Sequence, residues 1–104
     1  MIGMDLSGAC AAMAATLHGD AAAGAVAFRG VSTDSRAVQS GELFVALRGE
    51  HFDGHAFVAT ARELGARAAV VAADAVDALR DAGLPLLAVA DTRIALGELA
   101  RAWR

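Results

Sequence analysis

Lysine is missing from this chain; all nine basic residues are arginine. Without it the chain can build no P-loop lysine, no Schiff-base lysine and no lysine general base. Cysteine is nearly absent too. The single Cys10 permits no intrachain disulfide and no metal-binding thiol pair, which fits a reducing compartment, and its Ala-rich setting reads as an inert buried thiol. Basic clusters of the kind that track a phosphate backbone are lacking and the net charge is −3, which argues against nucleic acid as a partner. No basic segment leads into an apolar signal region, and no apolar run approaches the roughly 18 residues that span a bilayer. These absences predict a cytoplasmic protein without membrane contact. Neither a CxxC nor an HExxH pattern occurs, no nucleophile elbow is visible, and no catalytic residue is assigned.

What remains is a chain of 104 residues that is 57% hydrophobic, much of it alanine. Alanine buries little area, so the core is expected to be thin and to rest on Leu, Val, Ile and Phe. One domain covering residues 1–104 is expected. Leu6, Cys10, Met13 and Leu17 recur at helical spacing, with Ser7 as N-cap and Gly19 beyond the end. Residues 25–32 read as β-structure that ends in a Thr33-Asp34-Ser35 turn. After Ser40-Gly41, the run Leu43 to Leu47 reads as a strand buried on both faces. Asp53-Gly54 signals a turn, followed by a helix with Phe57, Val58, Ala61 and Leu64 on one face that stops at Gly65. A strand at 68–72, a helix at 75–82, a strand at 86–90 and a helix from Asp91 or Thr92 complete the pattern, the last placing Ile94, Leu96, Leu99 and Trp103 together. That final helix runs to the last residue without a C-cap, as if cut from a longer polypeptide. Alternating helices and strands predict a small single α/β domain with a mixed, partly parallel sheet flanked by helices.

Two polar segments flank the buried 43–47 run. In Thr33-Asp34-Ser35-Arg36, either Asp34 closes an Asx-type turn and pairs with Arg36, or hydroxyls and free backbone N–H groups read the edge of a flat polar ligand while Arg36 holds a phosphate. In the second segment, His51, Asp53 and His55 either approach a metal-ligand set or merely surround the Asp53-Gly54 turn. Gly49, after Arg48, either admits a ligand close to the backbone or supplies a positive φ. Asp91-Thr92-Arg93 reads as a helix cap with an adjacent arginine.

Four segments in this order resemble the amino-terminal domain of the Mur ligases, ATP-dependent enzymes that build the peptide stem of bacterial peptidoglycan. They are Thr33-Asp34-Ser35-Arg36, Gly41 to Leu47, Gly49 to Phe57 and Gly65 to Val71. Within the family, Asp91 to Arg104 is more similar to the branch that adds D-alanyl-D-alanine to a tripeptide than to the branch that adds the third residue. The resemblance implies a domain that binds the uridine diphosphate (UDP) end of a UDP-N-acetylmuramoyl-peptide. By position, Thr33, Asp34, Ser35, Arg36, Arg48, Gly49, Glu50, His51 and Phe52 would border the nucleotide, with Arg36 or Arg48 at the diphosphate. It also implies that ATP and Mg serve the full-length enzyme through a GKT or GKS loop in a central domain, a loop this lysine-free chain does not contain. No cofactor or metal is then expected in this domain, and its partners are the UDP-linked substrate and the enzyme's other domains. Two alternatives stand beside this reading: a protein-interaction module without ligand affinity, and a small metal-dependent enzyme built on His51, Asp53 and His55.

Overall fold

The computed structural model describes residues 4–19, 23–48 and 53–102. Its centre is a five-stranded sheet in the order β2 (Thr16–His18), β7 (Leu86–Val89), β6 (Ala68–Ala72), β5 (Leu43–Val45), β4 (Val31–Ser32). The pairs β4–β5, β5–β6 and β6–β7 are parallel, and β2 joins the β7 edge antiparallel. A separate two-stranded ribbon pairs β1 (Met4–Asp5) with β3 (Ala27–Phe28).

Parallel strands need helical crossovers, which cover both faces of the sheet, so the central strands carry apolar residues without alternation. Side chains nevertheless divide by parity. Leu43, Val45, Ala68, Val70, Leu87 and Val89 face one layer, where Leu6, Ala9 and Met13 of α1 (Leu6–Met13) meet Ala95 and Leu99 of α4 (Thr92–Ala102). Phe44, Ala69, Val71, Leu86 and Ala88 face the other, packed with Val58 and Ala61 of α2 (Val58–Glu63) and Val76 of α3 (Val76–Leu79). Alanine at 68, 69 and 88 keeps the sheet surface low beneath these helices, and the expected thin core is spread over two layers.

Several elements differ from the sequence reading. Helix α1 ends at Met13, and Leu17 lies in β2. The stop is a Schellman-type turn: Ala14 takes φ 54° and ψ 41°, and Ala15 donates its N–H to the Cys10 carbonyl at 3.0 Å. Pairing of Thr16–His18 with Leu86–Ala88 outweighs the helical periodicity. The N-cap is Asp5, which accepts the Gly8 N–H at 2.8 Å, because the β1–β3 ribbon delivers the chain to the helix two residues before Ser7. Val58 and Ala61 face inward as expected, but Phe57 and Leu64 are exposed. On α4, Ile94 is 64% exposed while Thr92, Ala95 and Leu99 are buried, and Trp103 lies outside the described residues.

Two glycines test this packing in opposite directions. A Cβ on Gly54 would sit 2.9 Å from the Leu47 nitrogen and 3.1 Å from the Ala46 Cα, both backbone atoms that cannot swing away. Gly54→Ala is expected to lower unfolding free energy by about 1–3 kcal/mol. A Cβ on Gly97, inside α4, would meet nothing within 4 Å, so Gly97→Ala should raise stability by about 1 kcal/mol through helix propensity alone. Urea denaturation of both variants checks the two signs.

Candidate ligand-binding site

In a parallel sheet the carboxyl ends of the strands share one edge, and the loops leaving that edge carry the convergent polar groups. Here β4 runs into Thr33–Arg36, β5 into Arg48 and the turn at Asp53, β6 into Asp74, and β7 into Asp91–Arg93. The Thr33–Arg36 turn and the described ends of the second polar segment, Arg48 and Asp53, therefore lie on the same side of the domain.

At the β4 end, the Asp34 carboxylate accepts the Arg36 backbone N–H at 2.9 Å and the Arg36 Nε–H at 3.3 Å, closing an Asx turn. These bonds, the backbone one foremost, hold the Asp34 carboxyl below the usual carboxylate range. Ser32 clasps the same turn, its hydroxyl donating to the Asp34 carbonyl at 3.1 Å. Ser35 is buried, Thr33 and Asp34 are exposed, and the Arg36 side chain is 87% exposed. With Phe57, residues 33–36 line a groove of about 540 Å³. The turn is thus self-closed as the structural reading of its residues supposed, yet it borders a cleft.

At the β5 end, Arg48 is committed. Its guanidinium meets Asp74 at 2.9 and 3.4 Å and lies 3.6 Å from Asp53, while its carbonyl accepts from Arg93 at 3.2 Å. The Asp74 hydrogen bond raises the Arg48 pKa, and the same bond lowers that of Asp74. A recess of about 240 Å³ lies here, lined by Arg48, Ala72 and residues 90–93. Asp91 caps α4 by accepting the N–H groups of Arg93 and Ile94 at 2.9 and 3.2 Å. Two arginines therefore face three aspartates, a balance that does not invite an anion.

Between Arg48 and Asp53, an antiparallel bridge and the Gly54 N–H to Leu47 carbonyl bond of 2.7 Å close the chain on itself. Gly49, Glu50, His51 and Phe52 lie outside the described residues. His55 is buried and doubly bonded. Its Nε2 receives the Ala72 N–H at 2.9 Å, which only an unprotonated nitrogen can do, so Nδ1 carries the proton and donates to Asp53 at 2.6 Å. The His55 backbone N–H also bonds Asp53 at 2.9 Å and is the foremost cause of that carboxyl's lowered pKa. His55 has no ring nitrogen left for a metal, which removes it from the His51, Asp53, His55 set. Among the described residues no group of three or more potential ligands converges, and His18 sits at the opposite end of the sheet, beside Leu86.

Sequence reasoning passed over Asp74, whose one available signal was its place just after the 68–72 strand; Arg93 was read only as a neighbour of a helix cap, and Phe57 only as part of one helical face.

Because the carboxyls of Asp34, Asp53 and Asp74 are held below their ordinary range, their contribution to stability is complete above about pH 4 and is lost as pH falls through their lowered values. Asp74→Asn should therefore lower the urea midpoint at pH 7, with the difference from the parent chain shrinking below pH 4. Paired urea titrations at pH 7 and pH 3 measure it.

The comparisons with known proteins agree with this architecture. A family model described as "Mur ligase family, catalytic domain" matches residues 27–104. The chain is 44% identical over 87 residues to UDP-N-acetylmuramoyl-tripeptide-D-alanyl-D-alanine ligase of Escherichia coli K12, covering 84% of this chain and 18% of that protein. It is 43% identical over 99 residues to UDP-N-acetylmuramoyl-L-alanyl-D-glutamate-2,6-diaminopimelate ligase of Chlorobaculum tepidum, covering 95% and 19%. A crystal structure of MurF from Acinetobacter baumannii superposes with a TM-score of 0.78 at 36% identity, covering 95% of this chain and 20% of that one. The chain thus spans about a fifth of the length of the relatives it matches. With residues 27–104 inside the family model and a solved member superposing over 95% of its length, the chain belongs to the Mur ligase family.

Proposed function

We propose that this chain is the substrate-anchoring, amino-terminal domain of a cytoplasmic peptidoglycan ligase, holding the UDP end of UDP-N-acetylmuramoyl-tripeptide for ATP-dependent addition of D-alanyl-D-alanine. The observation that carries the reading is the convergence of the Thr33–Arg36 turn and the β5 loop on one edge of the parallel sheet, in a member of a family whose relatives are named for UDP-linked substrates. The bond-forming chemistry, with ATP and Mg, belongs in this reading to a central domain of the full-length enzyme. No lysine is available here for a phosphate-binding loop, and no described histidine on this edge is free to act as a base. Anchoring at the nucleotide contributes binding energy remote from the reaction and positions the distant peptide carboxylate. The tripeptide substrate is preferred on the similarity to the D-alanyl-D-alanine ligases; similarity to diaminopimelate ligases at comparable identity supports the UDP-dipeptide as the second candidate.

The surroundings of the two arginines offered for the diphosphate favour one of them in this reading. Arg48 already neutralises Asp74 and Asp53, whereas Arg36 has a single exposed carboxylate partner and borders the groove. Arg36 is the diphosphate ligand in this proposal and Arg48 a structural clamp.

The 104-residue chain should bind UDP weakly and in a salt-dependent way. Arg36→Ala is expected to weaken UDP about fivefold without changing the urea midpoint; Arg48→Ala should lower the urea midpoint and affect UDP less. Calorimetric titration with UDP, repeated at two salt concentrations, separates the effects. Mixed with ATP, Mg and D-alanyl-D-alanine, the chain should release no phosphate; release above a protein-free control would contradict its anchoring role.

A further inference from the structure

His55 is the one buried titratable side chain among the described residues, only 7% exposed, and it sits in the 3-10 turn spanning Gly54–Phe57. Its two ring nitrogens are engaged in opposite senses. Nδ1–H donates to the Asp53 carboxylate at 2.6 Å, and Nε2 accepts the Ala72 N–H at 2.9 Å. The second bond exists only for a neutral ring. A proton on Nε2 would turn the acceptor into a donor aimed at another donor, leaving the Ala72 N–H without its acceptor.

The charged groups around the ring come from several loops. Asp53, on the same turn, touches Nδ1 and favours a charged ring. Asp74, after β6, adds negative charge that interacts with the ring, and Arg48, after β5, adds positive charge. Arg48 lies 2.9 Å from Asp74 and 3.6 Å from Asp53. Arg93, after β7, reaches the Arg48 carbonyl; α2 turns Arg62 to the Gly83 carbonyl, and α3 pairs Asp77 with Arg80. The ring is thus pulled two ways: a carboxylate invites a second proton, and the end of β6 opposes it.

We infer that His55 is a proton-operated latch: uptake of a second ring proton at Nε2 forces release of the Ala72 N–H and unties the Asp53–His55 turn from the end of β6. His55 cannot hold Ala72 and that proton at once, so protonation and release are one event. The proton comes from solvent, Asp53 keeps its hold on Nδ1, and the Ala72 N–H turns to water. The carboxyls of Asp53 and Asp74, held below their ordinary range, stay ionised between about pH 8 and pH 5, where imidazoles change charge. The latch therefore acts apart from the loss of those carboxylates in stronger acid, and it does not depend on which ligand the domain anchors.

NMR of the 15N-labelled 104-residue chain from about pH 8 to about pH 5 tests the coupling. At the upper end the His55 ring should show the Nδ1–H tautomer. On acidification the ring signals and the Ala72 amide should move with one midpoint. The Ala72 hydrogen-exchange protection factor should fall about tenfold, while Val70, in the middle of the same strand, keeps its protection. His55→Gln should remove the Ala72 step. Asp53→Asn, whose carbonyl can still accept from Nδ1, should move the step to lower pH, and it serves where His55→Gln does not fold. The latch is overturned by an Ala72 amide that stays protected while the ring titrates, by a ring that stays neutral to the lower end, or by a step that persists in His55→Gln or is unmoved in Asp53→Asn. Loss of protection at Val70 together with Ala72 also overturns it, because the event would then be unfolding of the sheet.

Discussion

The strand Ala68–Ala72 is the constraint from which the rest of this domain follows. It is buried on both faces, pairs in parallel with β5 on one side and β7 on the other, and fixes both registers. Its alanines and valines leave room for helices above and below, and the other three parallel strands bring their loops to the edge where it ends. At that edge its last N–H, from Ala72, is not paired in the sheet but donated to His55. A buried N–H without a partner is costly, and the imidazole that receives it is itself held by Asp53. Through this chain of bonds the β5 loop is tied to the end of the central strand, and the polar edge is part of the sheet's own hydrogen bonding.

Charge at the edge is arranged asymmetrically. Around Arg48 and Arg93 the aspartates at 53, 74 and 91 cancel positive charge and stitch together the loops after β5, β6 and β7. At the β4 end, Arg36 stands mostly in solvent beside an apolar ring and a self-closed turn. Exposed pairs such as Arg36–Asp34 contribute little to stability, so under the proposed function a phosphate would displace Asp34 at small cost. One end of the edge ties loops together, and the other leaves an exposed arginine beside a groove.

How much of this was legible in the sequence depended on whether local pattern and tertiary pairing agreed. Leu43–Val45, Ala68–Ala72 and Leu86–Val89 are apolar runs bounded by turn residues, and they are strands close to where the pattern put them. Leu17 sits at helical spacing from Met13 but pairs with Leu87, a partner seventy residues away that no local window contains. Phe57 and Ile94 follow helical periodicity and are nevertheless exposed, because a 3-10 start shifts the phase for the first and α4 buries the stripe of Thr92, Ala95 and Leu99 instead of the second. At the candidate site, the Asx turn of Asp34 was readable from neighbouring residues. The Arg48–Asp74 clamp and the His55–Ala72 bond join residues from different loops and required the fold.

The central claim, that the β4 end of the sheet's carboxyl edge is a nucleotide anchor, is tested most directly by mapping amide shift changes in the labelled 104-residue chain as UDP is added. The account predicts changes concentrated at Thr33–Arg36 and around Phe57. Changes concentrated instead along the groove at the opposite end of the sheet, near His18, Arg80 and Pro85, would contradict it.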